Sequence, residues 1–504
     1  MTEVERRFPP HAGRGLRIAA SRSLSMLRRV PRAAWLCALV AFLNAAAWSF
    51  VSPPVEVPGE PSHFAYVKQL AETGTLPTSE GGEYSGEEHA VLTALNFQAV
   101  RLGPANTTIS SRAEQRNLER QLEPSNTYPG HGSPQAGVAT AEPPLYYALE
   151  AIPYDLASGG TLLDRLQLMR LFSALWAGLT ALFAFLFLRE ALPRVHWAWT
   201  VGALCVALSP LLGFESGAVT PEAMLYAVSG ALLYCMARAF RRGLTTRWAI
   251  ATGLVIATGL LTKLNFIGIA PAAYLALCIV AVRGARSAGP AALRAPAIAA
   301  AIGCVPIVLA KVISKQTAGT VTGAASGTTV QGALWNKLNY VWQLYLPRLP
   351  GTVADFPGLS TARQIWFDGY VGRFGWLDTF FPAWVYTAAL VAAIAIALLC
   401  VRSLLAGRAQ LRARLPELAV YVTMTLGVML LVGVASYPSW PRQAASFGQA
   451  RYLLPMLPLL GAVLALAARG AGRRWGPVAG ALLIALFLGH DVFSQLQVIA
   501  RYYG

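Results

Sequence analysis

Ala33–Val51, AAWLCALVAFLNAAAWSFV, contains no charged residue, and it gives way at once to Ser52–Phe64, SPPVEVPGEPSHF. A helix needs about 20 apolar residues to cross a bilayer. The first segment meets that length and the second breaks it with four prolines and two glutamates. The pair therefore reads as a membrane helix that delivers the chain into a polar loop. Ala45-Ala46-Ala47 also resembles a signal-peptide cleavage site. The apolar run continues past it through Trp48, Phe50 and Val51, which favours an uncleaved anchor.

Working outward, the same alternation recurs along most of the 504 residues. Further apolar runs lie at about 166–188, 196–213, 223–239, 248–262, 266–282, 295–313, 382–401, 418–436, 452–468 and 477–494. The chain is 55% hydrophobic and 13% charged, with mean hydropathy +0.48. Soluble domains carry about 25% charged residues. The expected fold class is an all-α polytopic membrane protein of about 11 transmembrane helices, with short helices in a large first loop. The pair at 248–282 is the weakest, since Lys263-Leu264-Asn265 between two short runs also fits one re-entrant unit.

A net charge of +17 invites a nucleic-acid partner, but its distribution argues against one. With 1–32 placed in the cytoplasm as a basic tail and sides alternating, more than half of the 41 Lys+Arg fall in the inner segments. Those segments hold only four acids, Glu3, Glu5, Glu190 and Glu417. This is the positive-inside asymmetry of a plasma-membrane protein, with added attraction to anionic lipid. It places loops 52–165 and 314–381 and the short tail 496–504 outside, around a transmembrane domain spanning 33–495. The six cysteines all fall in apolar runs and form no CxxC pair, so neither a disulfide framework nor a metal cluster is expected.

Within the first loop, Glu60–Thr73 places Phe64, Val67 and Leu70 on one helical face, with Gly74 as a stop. Glu87–Leu102 and Ser111–Leu122 are further helical candidates, Asn126–Ala141 reads as a mobile loop, and Pro144 suits the start of a helix carrying Tyr146 and Tyr147. The second loop is aromatic-rich, including Trp376, as is common at a lipid interface.

Several charged residues stand out at the outer ends of the spans. Glu60 and His63 share a helical face, where a carboxylate can act as general base or hold a divalent cation. A solvated acid at a helix N-terminus is the plainer alternative. Glu222, in Thr220-Pro221-Glu222, and its neighbour Glu215 lie on the same side; ionisable groups at membrane depth point to function, although Glu222 also suits a helix cap. Lys263 and Arg451 fit a lipid phosphate, as a point charge and as a bidentate clamp respectively. By spacing alone, interfacial anchoring is the better explanation of each. The chain contains no P-loop, GxSxG or HExxH.

The order of these elements carries a resemblance. After the first span come Pro58-Gly59-Glu60-Pro61-Ser62-His63-Phe64, then Thr73-Gly74-Thr75-Leu76-Pro77, then Pro143-Pro144-Leu145-Tyr146-Tyr147. Thr220-Pro221-Glu222, Phe374-Gly375-Trp376-Leu377-Asp378 and Gln449-Ala450-Arg451-Tyr452-Leu453-Leu454-Pro455 follow. Across roughly 33–495 the chain resembles the bacterial predicted-membrane-protein family called domain of unknown function 2142, which looks like part of the type C glycosyltransferase (GT-C) group.

The resemblance implies an outward-facing active site in the bacterial plasma membrane. A sugar would pass from a polyprenyl-phosphate donor to a cell-envelope glycan or lipid acceptor. It makes Glu60 the catalytic base with His63 beside it, and Glu222 and Glu142 the support for acceptor or metal. Lys263 and Arg451 would bind donor phosphate, and Tyr146, Tyr147, Trp376, Asp378 and Tyr452 would touch substrate. A divalent cation, Mg or Mn, is the one cofactor it brings into view. The partners it implies are membrane lipid, the lipid-linked sugar and the acceptor, with no nucleic acid. Gly59 departs from the pattern, since members commonly carry Asp-Glu there; Glu142 and Glu56 are the acids left to take its place. The alternatives are a flippase for lipid-linked sugar, which would line a mid-membrane path, and a catalytically silent envelope-assembly protein.

Overall fold

The computed structural model describes residues 30–77, 84–103, 106–108, 111–122, 139–316, 334–350, 356, 360–437 and 448–504. The basic tail through residue 29, most of the expected mobile loop Asn126–Ala141 and the Gly/Thr-rich start of the second long loop lie outside these residues. Everything described is helical apart from connections and one two-stranded hairpin.

Each expected span coincides with helix. α1 (Arg32–Val51) leads into loop helices α2 (Glu60–Thr73), α3 (Gly86–Ala94), α4 (Phe97–Leu102), α5 (Arg112–Leu122) and α6 (Leu145–Leu156). The expected helix Glu87–Leu102 is thus two, broken where Asn96 adopts the left-handed conformation at φ 52°. Then follow α7 (Leu162–Ala191), α8 (His196–Ala207), α9 (Pro210–Ser216), α10 (Pro221–Arg242), α11 (Thr246–Thr262), α12 (Phe266–Ala288) and α13 (Arg294–Gln316). After α14 (Leu334–Tyr345) and the short α15 (Gly369–Gly372), strands β1 (Arg373–Phe374) and β2 (Thr379–Phe380) form an antiparallel hairpin. α16 (Ala383–Ala406), α17 (Arg408–Ala413), α18 (Leu415–Ser436), a 3-10 turn Ala450–Met456, α19 (Leu457–Gly470) and α20 (Gly472–Tyr503) complete the chain.

The span count needs correcting. Among the described residues nine helical segments are long and apolar enough to cross a membrane, or ten if the bent pair α8–α9 is one span. Pro210 follows the break after α8, and the two axes meet at 54°. α11 has only 17 residues. It ends where Lys263 becomes extended, so the 248–282 region is two helices meeting at a polar corner. The expected short tail 496–504 is instead the last turns of α20, because Val498 and Tyr502 are buried against the first loop.

α7 is the axis of the bundle, packed by α1, α8 and α10. Burial grades outward from there: 83% of the apolar window of α10 is inside the protein, against 11% for α16, whose leucines and valines face outward. Without a hydrophobic drive between helices in lipid, close backbone approach becomes important. Gly202 of α8 and Gly461 of α19 meet backbone to backbone, and a Cβ on either would strike the other's carbonyl. Asp491 is an acid buried between helices. Asp491 accepts from Trp48 Nε1 at 3.0 Å, Asn44 Nδ2 at 3.3 Å and Gln495 Nε2 at 3.1 Å, tying α20 to α1.

Polar clusters gather at the two ends of this bundle. Glu190 with Arg241 and Arg242, and Glu417 with Arg414, mark one end. The other end carries loop 52–165 and the corners at 209–222, 263–265 and 448–456.

Candidate functional site

At the loop end, α2 starts where Gly59 turns the chain at φ 91°, a left-handed conformation that glycine adopts without steric cost. Pro61 then fixes the first helical turn. This local geometry points the Glu60 carboxylate back into the protein, where it is fully buried. Arg170 of α7 binds it through Nε at 2.8 Å and Nη2 at 2.5 Å, and the backbone N–H groups of Val55 and Val219 donate at 3.0 Å each. The same guanidinium donates to the carbonyls of Ser49, Ser52 and Pro53. Both Glu60 oxygens are therefore occupied by intramolecular donors. The geometry makes Glu60 the clamp that fixes the loop to the bundle, and it leaves no lone pair facing a cleft. Arg170, unremarkable by position inside an apolar run, is its missing half.

One turn on, His63 places Nδ1 2.9 Å from Tyr147 Oη of α6. Burial, reinforced by the nearby Lys263 and Arg451 charges and opposed by Glu222, pushes its imidazole down to about 3, so it is neutral at neutral pH. Tyr147 stacks on Tyr66 with ring centres 3.6 Å apart. Tyr146 Oη meets Ser173 Oγ at 2.7 Å, and Ser173 donates to Glu150 at 2.7 Å. Burial pushes the Glu150 carboxyl up to about 8.

Four elements converge beside His63. Glu222 opens α10 behind Pro221, and Lys263 occupies the corner between α11 and α12. Lys263 Nζ lies 2.8 Å from Glu142 Oε1 and 3.2 Å from Glu222 Oε1, while Leu264 N donates to the second Glu142 oxygen at 3.0 Å. Arg451, on the 3-10 turn, donates to the Pro58 carbonyl at 2.9 Å and faces Glu215 at 3.5 Å. Glu222, Lys263, Arg451 and Glu215 are all buried or nearly so. Tyr452 is half-buried next to Arg451, whose guanidinium lies 5.5 Å from its ring centre.

Beside this network lies a narrow cleft of about 20 Å³, bordered by Pro58, Glu215, Arg373, Gly375, Gln449 and Arg451 among others. Arg373 and Arg451 each have a buried Nε–H without a hydrogen-bond partner. Burying such a donor unsatisfied is costly, and here two guanidinium donors border one cleft. Sequence reasoning found Arg451 but missed Arg373, which its hairpin position, rather than any local motif, brings here. Lys263 does not border this cleft; it is held between its two carboxylates.

The space between Glu142 and Glu222 that a divalent cation would take is filled by Lys263 Nζ. Among the described residues no group of three or more His, Cys, Asp or Glu side chains is placed to hold a metal. The donor set at this point does not fit Mg or Mn.

Trp376 and Asp378 occupy the turn between β1 and β2. Arg101 lies over the Trp376 ring at 3.9 Å, and Arg501 of α20 grips Asp378 at 2.8 and 3.0 Å.

The fold and this polar loop end define a polytopic all-α membrane protein with a buried charged site at one end of its helices. The family model described as Predicted membrane protein (DUF2142) matches residues 42–460, and the chain belongs to that family. Among solved structures, the apo crystal structure of the Archaeoglobus fulgidus oligosaccharyltransferase is similar over 93% of this chain, at 14% identity and TM-score 0.45. This chain spans 56% of that one. No curated protein matches.

Proposed function

We propose that this chain transfers a sugar from a polyprenyl-phosphate donor to an envelope acceptor at the outer face of a bacterial plasma membrane, as a glycosyltransferase of the GT-C kind. The observation that carries this reading is the pair of unpartnered guanidinium donors, Arg373 Nε and Arg451 Nε, on the cleft that Glu215 also borders. A phosphate supplies the acceptors they lack, with the geometry and charge that arginine recognises best.

In the proposed reaction the bond from the sugar's anomeric carbon to the donor phosphate oxygen breaks, and a bond to the acceptor oxygen forms. The acceptor proton passes to the Glu215 carboxylate. The departing polyprenyl phosphate keeps the bond's electron pair, and Arg451 and Arg373 stabilise its growing charge. Lys263, fixed between Glu142 and Glu222, adds positive field behind them. Glu60 acts at a distance: its clamp with Arg170 fixes the turn Val57–Gly59, whose Pro58 carbonyl in turn holds Arg451.

The test uses the full chain in nanodiscs with a polyprenyl-phosphate hexose labelled in the sugar and an envelope extract as acceptor. Label should move to the extract with wild-type protein, and Arg451→Met and Arg373→Met should each retain less donor on a filter. Donor passing across proteoliposomes without sugar transfer would replace this reading with a flippase.

A further inference from the structure

We infer that the end of the bundle away from the first loop binds the phosphate headgroup of an anionic phospholipid, in a cavity between α10, α11, α12 and α13 that Arg283 and Arg294 line. This site is independent of the sugar chemistry proposed for the loop end.

The cavity measures about 580 Å³, far larger than the cleft beside Arg451. It lies where four helices stop. α10 ends at Arg242, α11 starts at Thr246, α12 ends at Ala288 and α13 starts at Arg294. Gly243 turns the chain out of α10 at φ 75°, and a Cβ there would meet nothing within 4 Å. Alanines and glycines make up much of the wall, which leaves the room open. Deeper in the bundle α11 and α13 close on each other, since a Cβ on Gly253 would strike the Ala299 carbonyl.

The charge of this cavity has one sign. Among the described residues Arg283 and Arg294 are the only charged groups that line it. Both are exposed, and neither forms an ion pair or a side-chain hydrogen bond with another described residue. The acids described at this end are committed elsewhere, Glu190 to Arg241 and Arg242, and Glu417 to Arg414. Thr245 and Thr246 add two hydroxyls to the lining. A phosphate brings acceptor oxygens and negative charge to both guanidiniums.

The surroundings select a lipid over a free anion. Val282 and Leu293, which precede the two arginines, are 49% and 44% exposed. Each charge thus stands beside open aliphatic surface, as side chains do at a lipid interface. Ile250 and Leu254 continue that exposed apolar surface along α11. A phospholipid matches both halves, with its phosphate at the arginines and its acyl chains along the helices. Anionic lipid is attracted to such basic membrane ends.

Native mass spectrometry of the full chain in detergent tests the site, with phosphatidylglycerol and phosphatidylcholine added in equal amounts. One phosphatidylglycerol should be retained in preference to phosphatidylcholine. Arg283→Gln/Arg294→Gln should weaken that retention about tenfold, as expected for loss of charge-assisted hydrogen bonds. Arg247→Gln/Arg286→Gln removes the same charge from surface outside the cavity and should leave retention unchanged. If the first double variant does not fold, Arg294→Gln alone decides. No preference in the wild-type protein, or wild-type retention in the folded cavity variant, overturns the site. Equal loss in both double variants also overturns it, in favour of diffuse surface charge. Release of the lipid by an equal concentration of glycerol 3-phosphate replaces it with a site for a small soluble anion.

Discussion

Arg170 and Glu60 form a fully buried, two-pronged ion pair, at 2.8 and 2.5 Å, that joins the third turn of α7 to the first residue of α2. Removing one partner of a buried pair leaves the other charge unpaired, at a cost of about 3–5 kcal/mol. Glu60→Gln and Arg170→Met should each destabilise the protein by about that amount, seen as a lower unfolding temperature and reduced membrane abundance. A Glu60→Gln protein with wild-type stability would remove the clamp from the account.

Glu215→Gln keeps size and hydrogen bonding while removing the proposed base. Sugar transfer should fall by about 10²–10⁴-fold, the usual contribution of a positioned base, with donor retention within threefold of wild type. Equal loss of retention and transfer would instead make Glu215 a binding residue.

Lys263 balances two carboxylates. Lys263→Met should both lower the unfolding temperature and slow transfer, while the double variant Lys263→Met/Glu142→Gln should recover part of the stability because one unpaired charge is gone. Additive losses in the double variant, read by thermal unfolding, would show that the two groups do not interact.

His63 and Glu56 give stability opposite pH slopes. The His63 imidazole is lowered from 6.5 to about 3, so the unfolded chain binds more protons between those values and stability is lost as pH falls through them. The Glu56 carboxyl is raised from 4.5 to about 8, so the folded chain holds the extra proton and stability is lost as pH rises across that window. Denaturation across pH 4–8 should show His63→Gln flattening the acid limb and Glu56→Gln the neutral one.

Much of the fold was legible because apolar length is a local property. α2 begins at Glu60 and ends at Thr73 as its periodicity and Gly74 indicate. The bend between α8 and α9 was hidden by hydropathy, which continues unbroken through Pro210. At the site, Glu222, Lys263 and Glu142 were each visible as charges at span ends, and the structure brings them together. Their mutual pairing was not visible, since Glu142 and Lys263 are 121 positions apart. Arg170 and Arg373 escaped for the same reason: one lies within an apolar run and the other in a short hairpin, and only long-range packing gives Arg170 its carboxylate and brings Arg373 to the cleft. Gly59 is accounted for by its backbone: at φ 91° a side chain is disfavoured.

The end of α20 is woven into the first loop. Arg501 donates to the carbonyls of Val100 and Asn106, and Thr108 N donates to Tyr502 O. During synthesis, Val100 is therefore made 401 residues before the Arg501 that anchors it. Until residue 502 has cleared the insertion machinery, Asp378 lacks Arg501 and the loop lacks its last anchor. Assembly of this end is a closing step, and a pull on α20 would act directly on the loop end of the bundle.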